Sequence, residues 1–273
     1  MFYELYKNNC AKETTTVLLK FDFHSHTDQS ADAGQSAEQL FNAALAKGLS
    51  GLAITNHNTY NNCSRAGLYI IPAAEYSTDV GHLLVYFLNE PLEKTLSRGG
   101  RSYYNWQDVV GLAHDKGALV FVAHPFSPDY PRPDEFWKAI DGIEVFNARI
   151  IHSRNIDANK RALALSRAGG LPFSCGSDAH FEGEVGCTHW ECEIDIEGKT
   201  HDEVLQEVRL KLMTSSGRVV PGRASPFYRC ASQWVTAWRA GLYKKLLKIP
   251  GRFLYGIYTL TLGRRRYDFD VSI

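Results

Sequence analysis

Short apolar runs alternate with amphipathic stretches from about residue 17 to residue 213. That alternation predicts repeated strand–helix units and a mainly parallel α/β sheet or barrel. The clearest unit opens with a strand over 17–23. Ser36 and Gln39 then stand three apart as a capping box, and Ala37, Leu40, Phe41, Ala44 and Leu45 recur at the spacing of one helix face, with Gly48 to end it. Further strands are predicted over 51–55, 69–74, 83–88, 118–123, 142–146 and 172–175. Helices are predicted over 105–116, 157–168 and 200–213, the last opened by a second capping box of Thr200 and Glu203.

Residues with metal-binding chemistry collect where these apolar runs stop. His24 and His26 close the first strand, and side chains two apart in an extended chain project to the same side. Asp32 lies six residues beyond His26. His57 follows the second run, Glu75 ends the third, His124 ends the run over 118–123, and Asp178 and His180 follow the last strand. In parallel α/β architectures the carboxyl ends of the strands share one face, where sites are built. His82 breaks the pattern because it stands at the start of its run. Nine donors exceed the capacity of one ion, since zinc takes four. They suit two or three divalent ions sharing a carboxylate, and mixed imidazole and carboxylate donors favour Zn, Mn or Fe over Mg or Ca.

Composition narrows the setting. The chain has 273 residues, 44% of them hydrophobic and 22% charged, which is ordinary for one large globular domain. Lys plus Arg and Asp plus Glu both total 30, so overall charge points to no partner. The six cysteines (Cys10, Cys63, Cys175, Cys187, Cys192 and Cys230) are scattered, which predicts a reducing, cytoplasmic setting rather than a disulfide framework. No signal peptide is visible, and no apolar run approaches the roughly 18 to 20 residues of a membrane span.

The order and spacing of the donors resemble the PHP (polymerase and histidinol phosphatase) family of metal-dependent phosphoesterases. The first motif is Asp22-Phe23-His24-Ser25-His26 with Asp32, and the second is Ile54-Thr55-Asn56-His57. Ala74-Glu75-Tyr76-Ser77, Gly81-His82-Leu83-Leu84, Ala123-His124-Pro125 and Gly176-Ser177-Asp178-Ala179-His180 complete the set. The resemblance implies a distorted seven-stranded β/α barrel with a trinuclear site at one end. One ion would take His24, His26, Glu75 and Asp178, a second Glu75, His82 and His124, and a third Asp32, His57 and His180. His24, His26, Glu75 and Asp178 are thereby the implied catalytic core. Asn56 departs from the usual Thr-Asp-His, and the missing charge predicts weaker metal binding near His57.

Such a cluster acidifies a water shared between cations, so the expected reaction is in-line attack of the resulting hydroxide on a phosphomonoester or nucleotide phosphate. A nuclease acting on RNA or DNA ends, a hydrolase of C–N bonds and a non-hydrolytic metal-stabilised module are the alternatives. Arg149, just after the strand over 142–146, is the leading candidate to bind substrate phosphate, ahead of Arg98 and Arg101. His114 reads as structural or exposed, and His152 follows Arg149 closely. Ser177, Asp178 and His180 stand too close in sequence to converge as a nucleophilic triad. The stretch from Cys187 to Cys192 lacks the second Cys-x-x-Cys arm of a zinc site.

Residues 229–273 stand apart from the barrel predicted over 1–228. They carry a net charge of +7, leaving −7 for the rest, and end in a basic run at 264–266. Trp234, Trp238 and Tyr243 alternate there with Arg239, Lys244, Lys245 and Lys248. The favoured expectation is a helical extension that packs its aromatics on the barrel and solvates its charges. Contact with nucleic acid or an anionic membrane surface is the alternative.

Overall fold

The protein is described from a computed structural model covering residues 15–152, 157–241 and 243–261. β1 (Thr16–Ser25), β2 (Gly51–Ile54), β3 (Tyr69–Thr78), β4 (Gly81–Tyr86), β5 (Leu119–Val122), β6 (Gly142–Asn147) and β7 (Phe173–Gly176) follow the predicted runs. Every residue of β2, β5, β6 and β7 is buried, as strands covered on both faces require. The helices α1 (Ala37–Ala46) and α2 (Trp106–Asp115) begin at their expected caps, with both legs of the Ser36–Gln39 capping box formed. α3 (Asp134–Ala139) was not foreseen; it is short and begins after Pro133, without a side-chain cap. α4 (Ala158–Gly169) and α5 (His201–Met213) match their predicted spans, and α5 forms the Thr200–Glu203 box.

The sheet has nine strands rather than seven, in the order β7-β6-β5-β4-β3-β2-β1-β8-β9, where β8 is His189–Asp195 and β9 is Arg218–Val220. The two extra strands continue antiparallel beyond β1. The first seven curl into a nearly closed barrel. Its seam lies just past β7, where the Asp178 amide donates to the His24 carbonyl and the His26 amide to that of Ala179, both at 2.8 Å. Gly176 permits the approach, since a Cβ there would sit 2.2 Å from the Cβ of His24. Asp22 closes the seam from within by accepting from the Ser177 amide and hydroxyl and from the Gly186 amide.

β4 runs antiparallel to both β3 and β5. Its amino end therefore lies beside the carboxyl ends of its neighbours, which places His82 on the same face as the other donors. Inside the barrel Phe23 meets Tyr86 and Trp190 edge-on at 5.5 and 5.6 Å, and all three rings are fully buried.

α6 (Tyr228–Ala240) and α7 (Ile249–Thr261) form the extension. α6 lies against the barrel, but it buries Ser232 and Ala237 and leaves Trp234 and Trp238 58% and 71% exposed. The expectation that the aromatics pack inward is therefore corrected for both tryptophans and for Tyr243, also exposed. Close docking favours the small side chains, so the bulky ones on the same helix turn outward. Tyr228 is the exception, stacking on Phe181 at 5.7 Å. Among the described residues, no helix is long and apolar enough to cross a membrane. The basic run at 264–266 and Cys10 lie outside the described residues, as does the side chain of His152.

Candidate metal centre

The structure brings all nine donors together at one end of the barrel. Glu75 is their hub. Its Oε2 lies 3.3 Å from His24 Nε2, 3.4 Å from His26 Nε2 and 3.0 Å from His57 Nδ1. Its Oε1 lies 2.7 Å from His82 Nδ1 and 3.3 Å from His124 Nε2. Asp178 Oδ1 stands 3.3 Å from His26 Nε2 and 3.6 Å from His24 Nε2. At the outer side Asp32 faces His180 Nε2 at 3.1 Å and His57 Nε2 at 3.6 Å. Three overlapping triads have their donor atoms within 4.8 Å of one another: His24-His26-Glu75, His57-Glu75-His82 and His26-His57-His180. The last two differ from the implied partition, one by joining His57 to Glu75 and His82 and the other by joining His26 to the outer histidines.

Hydrogen bonds behind the rings decide which nitrogen faces the centre. Ser30 donates its hydroxyl to Asn56 Oδ1 while accepting from the His57 amide, so the 3.1 Å contact with His26 Nδ1 is one in which the ring donates. Glu144 Oε1, 2.9 Å from His24 Nδ1, and the Asp178 carbonyl, 2.8 Å from His180 Nδ1, are likewise acceptors. In neutral rings, Nε2 of all three residues is then a lone pair. His24 and His26 direct theirs at each other across 3.1 Å, and His180 directs its lone pair at the Asp32 carboxylate. Asp32 Oδ1 and His57 Nδ1 are buried without a well-aligned hydrogen bond, although Glu75 Oε2 stands 3.0 Å from that nitrogen. Facing lone pairs and orphaned donor atoms are electrostatically unfavourable unless protons or cations lie between them. The donor set therefore fits divalent ions.

The charge balance agrees. Burial alone raises a carboxyl pKa, yet His57, His82 and His24 hold Glu75 well below the ordinary carboxylate range, and His24 and His26 do the same for Asp178. Burial opposes protonation of His57, but Glu75 and Asp32 push it up to about 9. His26 moves the other way, to about 3, through burial and the neighbouring His180 and His57. His124 and Asp178 adopt positive φ angles of 28° and 56°, a conformation uncommon for residues other than glycine.

Two carboxylates important to the site were missed in the sequence. Glu144 bonds His24 through one oxygen, and through the other accepts from the His124 amide at 2.7 Å and from Asn147 Nδ2. Glu184 accepts from the His180 amide at 2.9 Å and pairs with Arg149 at 3.3 Å. Glu144 carried one signal, as the lone charge in a run otherwise buried and nearly apolar. Glu184 sits in a loop and carried none.

Asn56 does not face the donors directly. Its Oδ1 accepts from the Thr27 amide and the Thr27 and Ser30 hydroxyls, so it shapes the loop that orients His26 and His57. Arg149 is buried, bonded to Glu184, the Asp178 carbonyl and Ser232 Oγ, and lines a cavity shared with Asp32. Arg98 and Arg101 instead lie over Tyr104 and Tyr103. His114 pairs with Asp141 at 2.9 Å. Ser177 donates to Asp22 rather than to His180, so these residues do not form a nucleophilic pair. The described cysteines are all free, and Cys187 and Cys192 join no metal-binding group among the described residues.

Comparison with known proteins gives two family matches: the PHP domain over residues 22–151 and the PHP-associated domain over residues 157–211. An uncharacterized protein of Methanocaldococcus jannaschii is 26% identical over 249 residues, covering 84% of this chain and 97% of its own. Among solved structures, a two-domain protein of Bacteroides vulgatus containing a predicted PHP-like metal-dependent phosphoesterase superposes with a TM-score of 0.56 at 20% identity, over 76% of this chain and 66% of that one. The lesion-specific endonuclease PfuEndoQ of Pyrococcus furiosus gives 0.53 at 17% identity, over 74% and 57%. This chain thus spans about two thirds of the first structure and little more than half of the second, and at these identities the likeness is one of fold.

Proposed function

The chain belongs to the PHP domain family, and from that premise we propose that it is a metal-dependent phosphoesterase acting on a phosphomonoester or nucleotide phosphate. One observation carries the reading: a single buried carboxylate, Glu75, meets five imidazoles through both of its oxygens. That is the arrangement of a carboxylate shared between ions. His24, His26, Glu75 and Asp178 would hold the innermost ion, with His82, His124, Asp32, His57 and His180 completing two further sites. Divalent ions bound there supply an acidified water and neutralise charge on a phosphoryl oxygen.

The protein's own part is orientation. Glu144, Ser30 and the Asp178 carbonyl fix the ring tautomers of His24, His26 and His180, so the donor lone pairs need not reorganise. His57, His82 and Asp32 are the most exposed donors, with side chains 26%, 32% and 32% accessible, so substrate enters on their side. Metal stripping followed by reconstitution with Zn, Mn or Fe, against a panel of phosphoesters, tests the proposal. Turnover is expected only after reconstitution, and full activity in a rigorously metal-free preparation would sink it.

A nuclease is the second reading. The basic α6 lies beside the centre, and the fold is shared with an endonuclease named for lesion specificity. Salt-sensitive cleavage of end-labelled oligonucleotides, in preference to mononucleotides, would favour it.

A further inference from the structure

Beside the donors, on the side of α6 and α7, lies a cavity of about 340 Å³. Four cations line it: Arg149 from the barrel, Arg229 from α6, Lys248 from the turn before α7, and Arg252 from α7. Arg149 is paired with Glu184. The other three make no hydrogen bond or ion pair among the described residues. Arg229 is only partly exposed, and burial together with neighbouring Arg149 and Arg252 pushes its pKa down to about 10. Like charges gathered and partly desolvated cost free energy, and an anion between them restores it.

The rest of the lining is suited to an oxyanion. Ser232 Oγ accepts from Arg149, which leaves the hydroxyl proton free to donate. Gln233 also lines the cavity, and its amide nitrogen is the donor it can offer an oxyanion, since Oε1 only accepts. Asp32 is the wall shared with the metal centre, since it also faces His57 and His180. A ligand in this cavity is therefore next to any phosphoryl group held at the donors.

We propose that the cavity binds a second phosphoryl group on the substrate, so that the enzyme selects bisphosphorylated molecules over their monophosphates. The inference rests on reading the metal centre as a phosphoester site. A phosphoryl group carries a charge of about −1.5 to −2 near neutral pH and three acceptor oxygens. It matches a lining in which three cations without ion pairs among the described residues stand against one carboxylate, Asp32, better than a singly charged carboxylate does, and arginine forks suit its geometry. The barrel and the extension thus have separate roles, one holding the group that reacts and the other the group that is recognised.

The test has two arms. In the first, inorganic phosphate and fructose 1,6-bisphosphate are titrated calorimetrically into metal-free full-length protein, where binding does not depend on turnover. Binding is expected, weakened about tenfold or more in R229Q/R252Q and largely retained in R229K/R252K. Equal affinity of the wild type and R229Q/R252Q, or no binding at all, overturns the proposal. In the second arm, kcat/KM is compared on the reconstituted enzyme for fructose 6-phosphate against fructose 1,6-bisphosphate, and for a mononucleotide against a 5′-phosphorylated oligonucleotide. The member of at least one pair that carries the additional phosphoryl group should be preferred about tenfold, through KM, with the preference lost in R229Q/R252Q. The pair that shows it distinguishes a small bisphosphate from a nucleic-acid backbone as the source. Equal ratios in wild type and variant overturn the assignment. Arginine-dependent binding without any turnover would instead sink the phosphoesterase reading and leave the anion site standing.

Discussion

The carboxyl end of the barrel and the helical extension beside it are opposite solutions to the same problem of buried charge. At the donors, carboxylates and imidazoles crowd together, and outer hydrogen bonds from Glu144 and from Ser30, itself held by Asn56, orient His24 and His26. In the extension, Arg229, Lys248 and Arg252 line one cavity with no ion pair among the described residues, and large apolar side chains such as Trp238 and Leu247 remain exposed. The first region is over-determined by its contacts. The second is defined by what it leaves open, and under the proposed reading that contrast separates a site for ions from a site for a ligand.

The comparison is broken most severely by removing its inner arm. His24→Ala together with His26→Ala should reduce hydrolysis to background and lower metal content, while circular dichroism still reports a folded barrel. Retained turnover would show that the two rings are only structural. Glu144→Gln keeps shape and removes charge from behind His24. It should weaken metal affinity about 10- to 100-fold, as loss of an outer partner does, measured by competition with a chelating dye.

The pH dependence of the metal-free protein sharpens the contrast further. His57 is raised from 6.5 to about 9 in the fold, so its protonation stabilises fully below pH 6.5, and that contribution is lost as pH rises through about 9. His26 is lowered to about 3, so its contribution is present above pH 6.5 and lost as pH falls toward 3. Thermal melts of stripped protein should therefore peak near pH 6.5 and decline on both sides. Metal loading should flatten the alkaline limb because ions replace the proton. The smallest effect is expected on the outer face of α6. Trp234→Ser with Trp238→Ser should change stability by no more than about 0.5 kcal/mol in urea titrations, since both rings already face solvent.

Much of the barrel end was legible in the chain. Periodicity located the seven barrel strands, and eight of the nine candidate donors stand at or after run ends, because parallel strands deliver their carboxyl ends to one face by geometry alone. His82 was the visible anomaly. Its place follows from the antiparallel direction of β4, which rests on long-range pairing that local pattern does not encode. β9 and α3 escaped because they are short, and β8 was overlooked although Trp190, Cys192 and Ile194 alternate with Glu191 and Glu193 at the period of a strand.

Local sequence determined the elements, the donors and the kind of chemistry they support, since strand period, capping residues and ligand type are properties of neighbouring residues. Only the tertiary structure decided that Glu75 is the hub, that Glu144 and Glu184 stand behind the rings, and that Arg229 and Arg252 share a cavity with Asp32. The physical reason is distance along the chain. The cavity shared by residues 32 and 229 exists only once the extension has docked, and the contact between 24 and 144 only once the barrel has closed, and neither side chain carries a local sign of the other.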